Sequence, residues 1–324
     1  MNYTRRLTAF CILGLLIGSP PMPVAAADVY RVGMLSLGGA PGGSKDFEAF
    51  RDRLISLGYA EGRNLVIERR FAQGQFERLP ALAAELVRLN VDVIVTITTP
   101  AAQAAKAATS TIPIVMAGSA SPVELGLVAS LARPGANVTG VTNSLEGINA
   151  KQLQLLKEAA PRISRVAVIM NSSSVEANAF GNMQAASAAL GVTVVAFTTE
   201  SANEIDLDAL GKLRADALYV FPNAINVRNS KAILAFAAEN RLPAIYGDRD
   251  AVEAGGLMSY WTNWLELRRH AAVYVDKILK GARPADLPVE QPTRFELVIN
   301  LKTARALGLT IPQSVLLRVD EVIQ

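Results

Sequence analysis

Val91-Asp92-Val93-Ile94-Val95-Thr96 (VDVIVT), followed by the alanine-rich stretch Pro100–Ala108, decides the fold. A short β-branched run reads as a strand buried on both faces, and the segment after it reads as a helix. The same unit recurs on both sides. Upstream are strand Tyr30–Leu35, helix Lys45–Leu57, strand Leu65–Phe71 and helix Phe76–Leu89. Downstream are strand Ile112–Met116, helix Pro122–Ala132 and strand Val138–Thr142. Apolar strands, each followed by a helix, predict a parallel sheet covered on both faces.

The pattern then restarts. Helix Ile148–Ala160 leads to strand Arg165–Met170, helix Ala177–Leu190, strand Thr193–Thr198 and helix Asn203–Leu213. Strand Ala217–Phe221, helix Val227–Asn240, strand Ala244–Tyr246 and a strand at Leu257–Tyr260 follow, then the long helix Leu265–Gly281. The tail mixes prolines with a strand, Phe295–Ile299, and a short helix, Leu301–Leu307. No literal repeat joins the halves, but the architectural repeat predicts an α/β protein of two lobes, each a parallel sheet with helices on both faces. The expected division is 28–142 plus 260–288 for one lobe and 143–259 plus 289–324 for the other.

The N-terminus has the order of a secretory signal peptide. Arg5-Arg6 precede the apolar run Leu7–Gly18, and Ala25–Ala27 offer a cleavage site before Asp28. The run is too short to span a bilayer comfortably. The expectation is a signal at 1–27, the ordinary Sec route, and a soluble mature chain in the periplasm. Cys11, the only cysteine, lies inside that segment and follows Phe10, which argues against lipidation. Cleavage removes two arginines and no acid, taking the formal charge from +3 to about +1. The arginine pairs at Arg69-Arg70 and Arg268-Arg269 read as solvated faces, so nucleic acid is not expected as a partner.

Familiar hydrolytic chemistry is scarce. The mature chain has no thiol, and its single histidine, His270, sits in the helical pattern LRRHAAVYVDKIL, where partial exposure is expected. No acidic cluster has metal-ligand spacing, so no metal or cofactor is expected. Gly38–Lys45 resembles a phosphate loop, but Ser44 precedes Lys45, the wrong order for one.

Two open sheets with strand C-termini facing each other form a cleft, and ligands bind at those ends. The strand-end residues here are small and polar: Ser36, Thr99, Ser119, Thr142, Asn143, Asn171, Ser172 and Asn223. Each is also a natural helix cap. Thr99-Pro100 opens a helix and Ser119 precedes another, so free amides there suit a ligand carboxylate. Asp248 comes just after strand Ala244–Tyr246. It is expected to meet a ligand ammonium group, or else to cap the helix around Asp250–Ala254. Glu124, Glu146, Asp206 and Asp208 lie in helices or connections away from those ends. Tyr260–Trp264 (YWTNW) holds both tryptophans; core packing is the default for such a cluster and a ligand-stacking wall the alternative, with Tyr260 a candidate ligand-binding residue.

Several segments together resemble the ABC-transporter substrate-binding proteins of the family with tryptophan- and tyrosine-binding members. They are Arg31–Leu35 (RVGML), Phe50–Asn64 (FRDRLISLGYAEGRN), Val91–Ala101, Leu131–Val141 (LARPGANVTGV), Val166–Ser173 and Tyr246–Tyr260. The tail Lys280–Pro292 (KGARPADLPVEQP) with Phe295–Lys302 (FELVINLK) is the most specific. The resemblance covers essentially the whole mature chain. It implies a type I periplasmic-binding-protein fold with three hinge crossings, and delivery of a small polar ligand, an amino acid or related carboxylate, to an inner-membrane ABC permease. It also implies a monomer without catalytic activity. Two positions depart from the family pattern. Ser121 stands where Asp-Pro-Val is commoner than Ser-Pro-Val, and Trp261 places a bulky ring where glycine is common. An exported α/β enzyme and the binding module of a membrane sensor are the alternative functions.

Overall fold

The computed structural model describes residues 29–38, 45–145, 147–172, 174–199 and 205–324, without the side chains of Ser174 and Ala224. The expected signal 1–27, the glycine loop between Gly38 and Lys45, Glu146, Ser173 and the helix start expected at Asn203 lie outside the described residues.

The first sheet is built from β1 (Tyr30–Ser36), β2 (Leu65–Phe71), β3 (Val93–Thr96), β4 (Ile114–Ser119) and β5 (Val138–Thr142). Its helices are α1 (Lys45–Ser56), α2 (Leu79–Arg88) and α3 (Thr99–Ala108). The order is β2-β1-β3-β4-β5, and every pairing is parallel. All four residues of β3 are buried, as a strand covered on both faces requires.

The second half continues with α4 (Ile148–Ala159), β6 (Arg165–Asn171), α5 (Ser174–Ser187), β7 (Thr193–Thr199), α6 (Leu207–Lys212) and β8 (Ala217–Val220). Then come α7 (Ala224–Arg228), α8 (Ser230–Glu239), β9 (Ala244–Tyr246), α9 (Arg249–Glu253) and β10 (Met258–Thr262). After α10 (Trp264–Leu279) the chain adds β11 (Phe295–Asn300), α11 (Leu301–Ala306), α12 (Gln313–Leu316) and β12 (Glu321–Ile323). The second sheet runs β12-β11-β10-β9-β8-β6-β7. It is parallel except where β10 meets β11.

Each sheet carries an apolar layer on both faces. In the first, Phe47, Phe50 and Leu54 of α1 and Ala271, Tyr274 and Val275 of α10 cover one face. Leu82 and Leu86 of α2 and Ala101, Ala102 and Ala105 of α3 cover the other. In the second, α4, α5, α11 and α12 pack on one face, while α6, α8 and α9 pack on the other. A fully buried Leu, Ile or Phe in these layers contributes about 1.5–3 kcal/mol.

The chain passes between the sheets three times. It leaves the first after Thr142 and returns as α10. It then runs through Val289, in the first sheet's core, before joining the second at Phe295. Tyr260–Thr262 pair with Phe295–Leu297 and so belong to the second sheet, not the first. The crossings therefore fall at Asn263 and beyond Glu290, a few residues later than 260 and 288. Glu290 anchors the last one. Its carbonyl accepts from Thr142 N at 2.9 Å, and its N–H donates to Gly140 O at 3.0 Å.

Three expectations need correction. Pro122–Ala132 is not a helix but a series of turns. Leu127 N and Val128 N both donate to Pro122 O, and Gly126 turns left-handed at φ +62°. Lys106 Nζ donates to the carbonyls of Gly126 and, at 3.1 Å, Leu127, taking acceptors that a helix would use. The helix expected over Val227–Asn240 is broken into α7 and α8 at Asn229, whose side chain donates to Ile225 O at 2.9 Å. The arginine pairs are not simply solvated. Arg268 is 4% exposed, and Arg69 lies 3.8 Å from the Phe47 ring centre. Among the described residues no helix is long and apolar enough to cross a membrane.

Candidate ligand-binding cleft

A cavity of about 2060 Å³ lies between the C-terminal edges of the two sheets. In an open parallel sheet the natural binding crevice is where successive connections leave on opposite sides. The first sheet has that point between β1 and β3, the second between β6 and β8. Ser36 and Asn171 end β1 and β6, Thr98–Pro100 and Phe221–Asn223 follow β3 and β8, and all of them line the cavity.

Of the candidate residues, Ser36, Thr99, Pro100, Thr142, Asn143, Asn171, Asn223 and Asp248 share this cavity. Ser119, Ser172 and Tyr260 are not among its walls. Ser119 is fully buried, and its carbonyl accepts from Thr142 Oγ1 at 2.6 Å. Ser172 is exposed outside the cleft. Tyr260 packs into the second core, 5.8 Å from the Phe295 ring, and its neighbour Trp261 faces the cavity instead. Adjacent strand residues point to opposite sides, so only one of the two can line the cleft.

Most hydroxyls and amides here also hold the walls in shape. Thr98 caps α3, accepting from Ala101 N at 3.4 Å, and Thr99 Oγ1 accepts from Ala120 N at 2.8 Å. Asn223 caps α7 through Asn226 N at 2.9 Å. Asp248 Oδ1 caps α9, accepting from Ala251 N at 2.7 Å. Burial raises the Asp248 carboxyl above its usual range against that bond, with Asp250 adding to the rise. Asp248→Ala is expected to lower stability by about 1 kcal/mol through the lost cap. Asp248→Asn, which keeps the cap, should leave the urea midpoint of the empty protein close to wild type.

The second wall holds a carboxylate that is not among the strand-end candidates. Glu176, in the first turn of α5, lines the cavity and is 8% exposed. Its Oε2 accepts from Asn171 N at 2.7 Å and from Asn223 Nδ2 at 3.0 Å. Burial pushes its carboxyl up to about 7, although both hydrogen bonds pull it down. An acid three residues into a helix reads as a capping-box member, and that disguises it in the sequence.

The first wall holds a cation. Arg268, on α10, lines the cavity. It donates to the Ala117 carbonyl and, through Nε, to Asp46 Oδ1 at 3.2 Å. Burial lowers its pKa and Asp46 raises it. Its guanidinium is 5.5 Å from the Trp264 ring. Trp261, Trp264, Phe71, Phe76 and Phe221 add aromatic surface to the same cavity. His270 is elsewhere, its Nε2 3.0 Å from Glu290 Oε2, and is not a cavity wall.

Two open α/β sheets facing each other across a polar and aromatic cleft, with three crossings between them, define a type I periplasmic-binding-protein fold. The chain belongs to the ABC transporter substrate binding protein family, whose model it matches over residues 32–323. It is similar to the tyrosine-binding protein of Clostridioides difficile (strain R20291), with 30% identity over 283 residues, 86% of this chain and 81% of the relative. Among solved structures it is similar to an ABC domain from Streptococcus pneumoniae in complex with L-Trp. That match has 28% identity and a TM-score of 0.85, over 91% of this chain and 100% of that one. A ligand-free, open substrate binding protein with adhesive properties from Clostridium difficile matches with the same identity and coverage and a TM-score of 0.69.

Proposed function

We propose that this substrate-binding protein takes a zwitterionic amino acid with an aromatic side chain and presents it to an ABC permease. The observation that carries the reading is a buried carboxylate, Glu176, in one wall of a cleft whose other wall holds Arg268 and the opening of α3. A ligand ammonium would neutralise Glu176, and its carboxylate would meet the guanidinium of Arg268 beside the positive end of α3. The tryptophan and phenylalanine surfaces suit a ring. The relatives' L-Trp and tyrosine support the same class. Asn171, Asn223 and Asp248 shape the ammonium end; Ser36, Thr99, Pro100, Thr142 and Asn143 shape the other.

In this reading the protein works outside the cytoplasm, in the periplasm, after removal of 1–27, as a non-catalytic monomer. The two sheets with their helices act as lobes that close on the ligand and create the surface the permease reads. The fold lies nearer the L-Trp complex, at 0.85, than the open relative, at 0.69.

The test is thermal shift and isothermal titration with the twenty L-amino acids, indole-3-propionate, 3-phenylpropionate and tryptamine. An aromatic amino acid at 100-fold over its Kd stabilises the folded state by about 2.7 kcal/mol. The melting temperature should rise by roughly 4–5 °C. Analogues lacking either charged group should bind at least ~10-fold more weakly. Silence from every amino acid, or equal affinity for the deaminated acids, overturns the reading.

A further inference from the structure

A chain of buried polar side chains runs from the β10 backbone into the cleft. Gln152 of α4 donates through Nε2 to the Tyr260 carbonyl at 2.7 Å. That carbonyl can only accept, so the orientation of the Gln152 amide is fixed and its Oε1 is an acceptor. Oε1 takes the hydroxyl hydrogen of Tyr219. With its hydrogen committed, the Tyr219 oxygen can only accept, and it does so from Asn149 Nδ2 at 2.7 Å. Gln152 and Tyr219 are each 1% exposed, whereas Asn149 lines the cavity. One backbone carbonyl thus sets the polarity of three side chains in series.

We infer that this relay presents the Asn149 carbonyl oxygen to the cleft as a fixed acceptor, and that it reads the ammonium group of the ligand together with Glu176. The inference rests on the proposed amino-acid ligand and assigns it a further specificity residue. Glu176 lines the same cavity from α5, which packs against the α4 that carries Asn149. Asn149 touches the ligand; Tyr219 and Gln152 are positioning residues. An asparagine free to rotate would offer N–H or C=O equally. The relay removes that choice and so favours a donor-bearing ligand over one that only accepts.

The experiment measures Kd by titration for the aromatic L-amino acid that binds wild type best, with the melting temperature of each empty variant as the folding control. Asn149→Leu should weaken binding about 10-fold. Asn149→Asp keeps an acceptor toward the ligand but loses the N–H that the Tyr219 oxygen takes, so it should weaken binding less than Asn149→Leu does. Tyr219→Phe should weaken binding about 5-fold in the wild-type background and not in the Asn149→Asp background, where a carboxylate has no wrong orientation. A merely structural role for Tyr219 would show the same loss in both backgrounds. Equal loss in Asn149→Asp and Asn149→Leu would mean that the amide N–H reads the ligand and would overturn the inference. An unchanged Kd in Asn149→Leu overturns it as well. Absence of any amino-acid binding by wild type overturns the functional reading itself, and this inference falls with it.

Discussion

Glu176→Gln is expected to raise the Kd for an aromatic amino acid about 10- to 100-fold, the value of one charge-assisted bond of roughly 1.5–3 kcal/mol. Glutamine still accepts from Asn171 N and Asn223 Nδ2, so the wall should persist while the charge is lost. The wild-type dependence on pH separates this from a packing effect. With the carboxyl near 7 in the empty protein, about a tenth of it is ionised at pH 6 and about nine-tenths at pH 8. Binding of an ammonium group should therefore be about 10-fold tighter at pH 8 than at pH 6, and flat over that range in the variant. The stability of the empty protein moves the other way. The carboxyl's folded value of about 7 lies above its ordinary 4.5, so the stabilising protonated form is fully present below 4.5 and lost as pH rises through 7. Ionisation costs about 3 kcal/mol by pH 8. Glu176→Gln should melt above wild type at pH 8, with the gap closing toward pH 4.5. A Kd without pH dependence in wild type would remove Glu176 from the ligand.

Gly140→Ala is expected to cost about 4 kcal/mol or more, a large share of the roughly 5–15 kcal/mol that holds a typical fold. Gly140 sits opposite Met116 in the β4–β5 pairing, with φ +123°. A Cβ there would fall 2.6 Å from Met116 N and closer still to its carbonyl oxygen. Backbone cannot yield as a side-chain tip can, and the φ value is strained for any L side chain. The same strand supplies Thr142 and the first crossing, so a relaxed variant would also shift the cleft. Urea unfolding checks this: a midpoint within error of wild type would show that the two strands can part without loss.

Where buried strands alternate with helices, the sequence was enough. Val138–Thr142 and Ala244–Tyr246 fall where the sequence places them, because a short run buried on both faces has few uses other than a strand; Leu65–Phe71 also does, as a half-buried edge strand. The antiparallel β11 was not legible. FELVIN resembles any strand, and its direction follows from α10 returning to the first sheet, a long-range fact. The cleft was half legible. Strand-end positions follow from topology, so eight candidates line one cavity. Ser119 and Tyr260 fall outside its lining because strand-end location does not say which way a side chain points. Asp248 and Glu176 exchange prominence for a related reason. Asp248 is conspicuous at a strand end but is partly spent on a cap. Glu176 has the position of an ordinary helix-start acid, yet it is buried in the wall. Arg268 reads as a surface charge because the groups that cover it, Asp46 of α1 and Ala117 of β4, are distant in sequence.

The two tryptophans stand on either side of one crossing. Trp261 is in β10 of the second sheet, while Trp264 opens α10 and packs on the first sheet's core; their ring centres are 6.3 Å apart at 35°. They are also the only two indoles in the chain. Rotation of one lobe against the other would change the separation and tilt of this pair directly. The protein thus carries an internal chromophore pair at one crossing between its sheets. Its near-ultraviolet circular dichroism and emission would follow opening and closing in real time, without a dye, a label or an engineered residue.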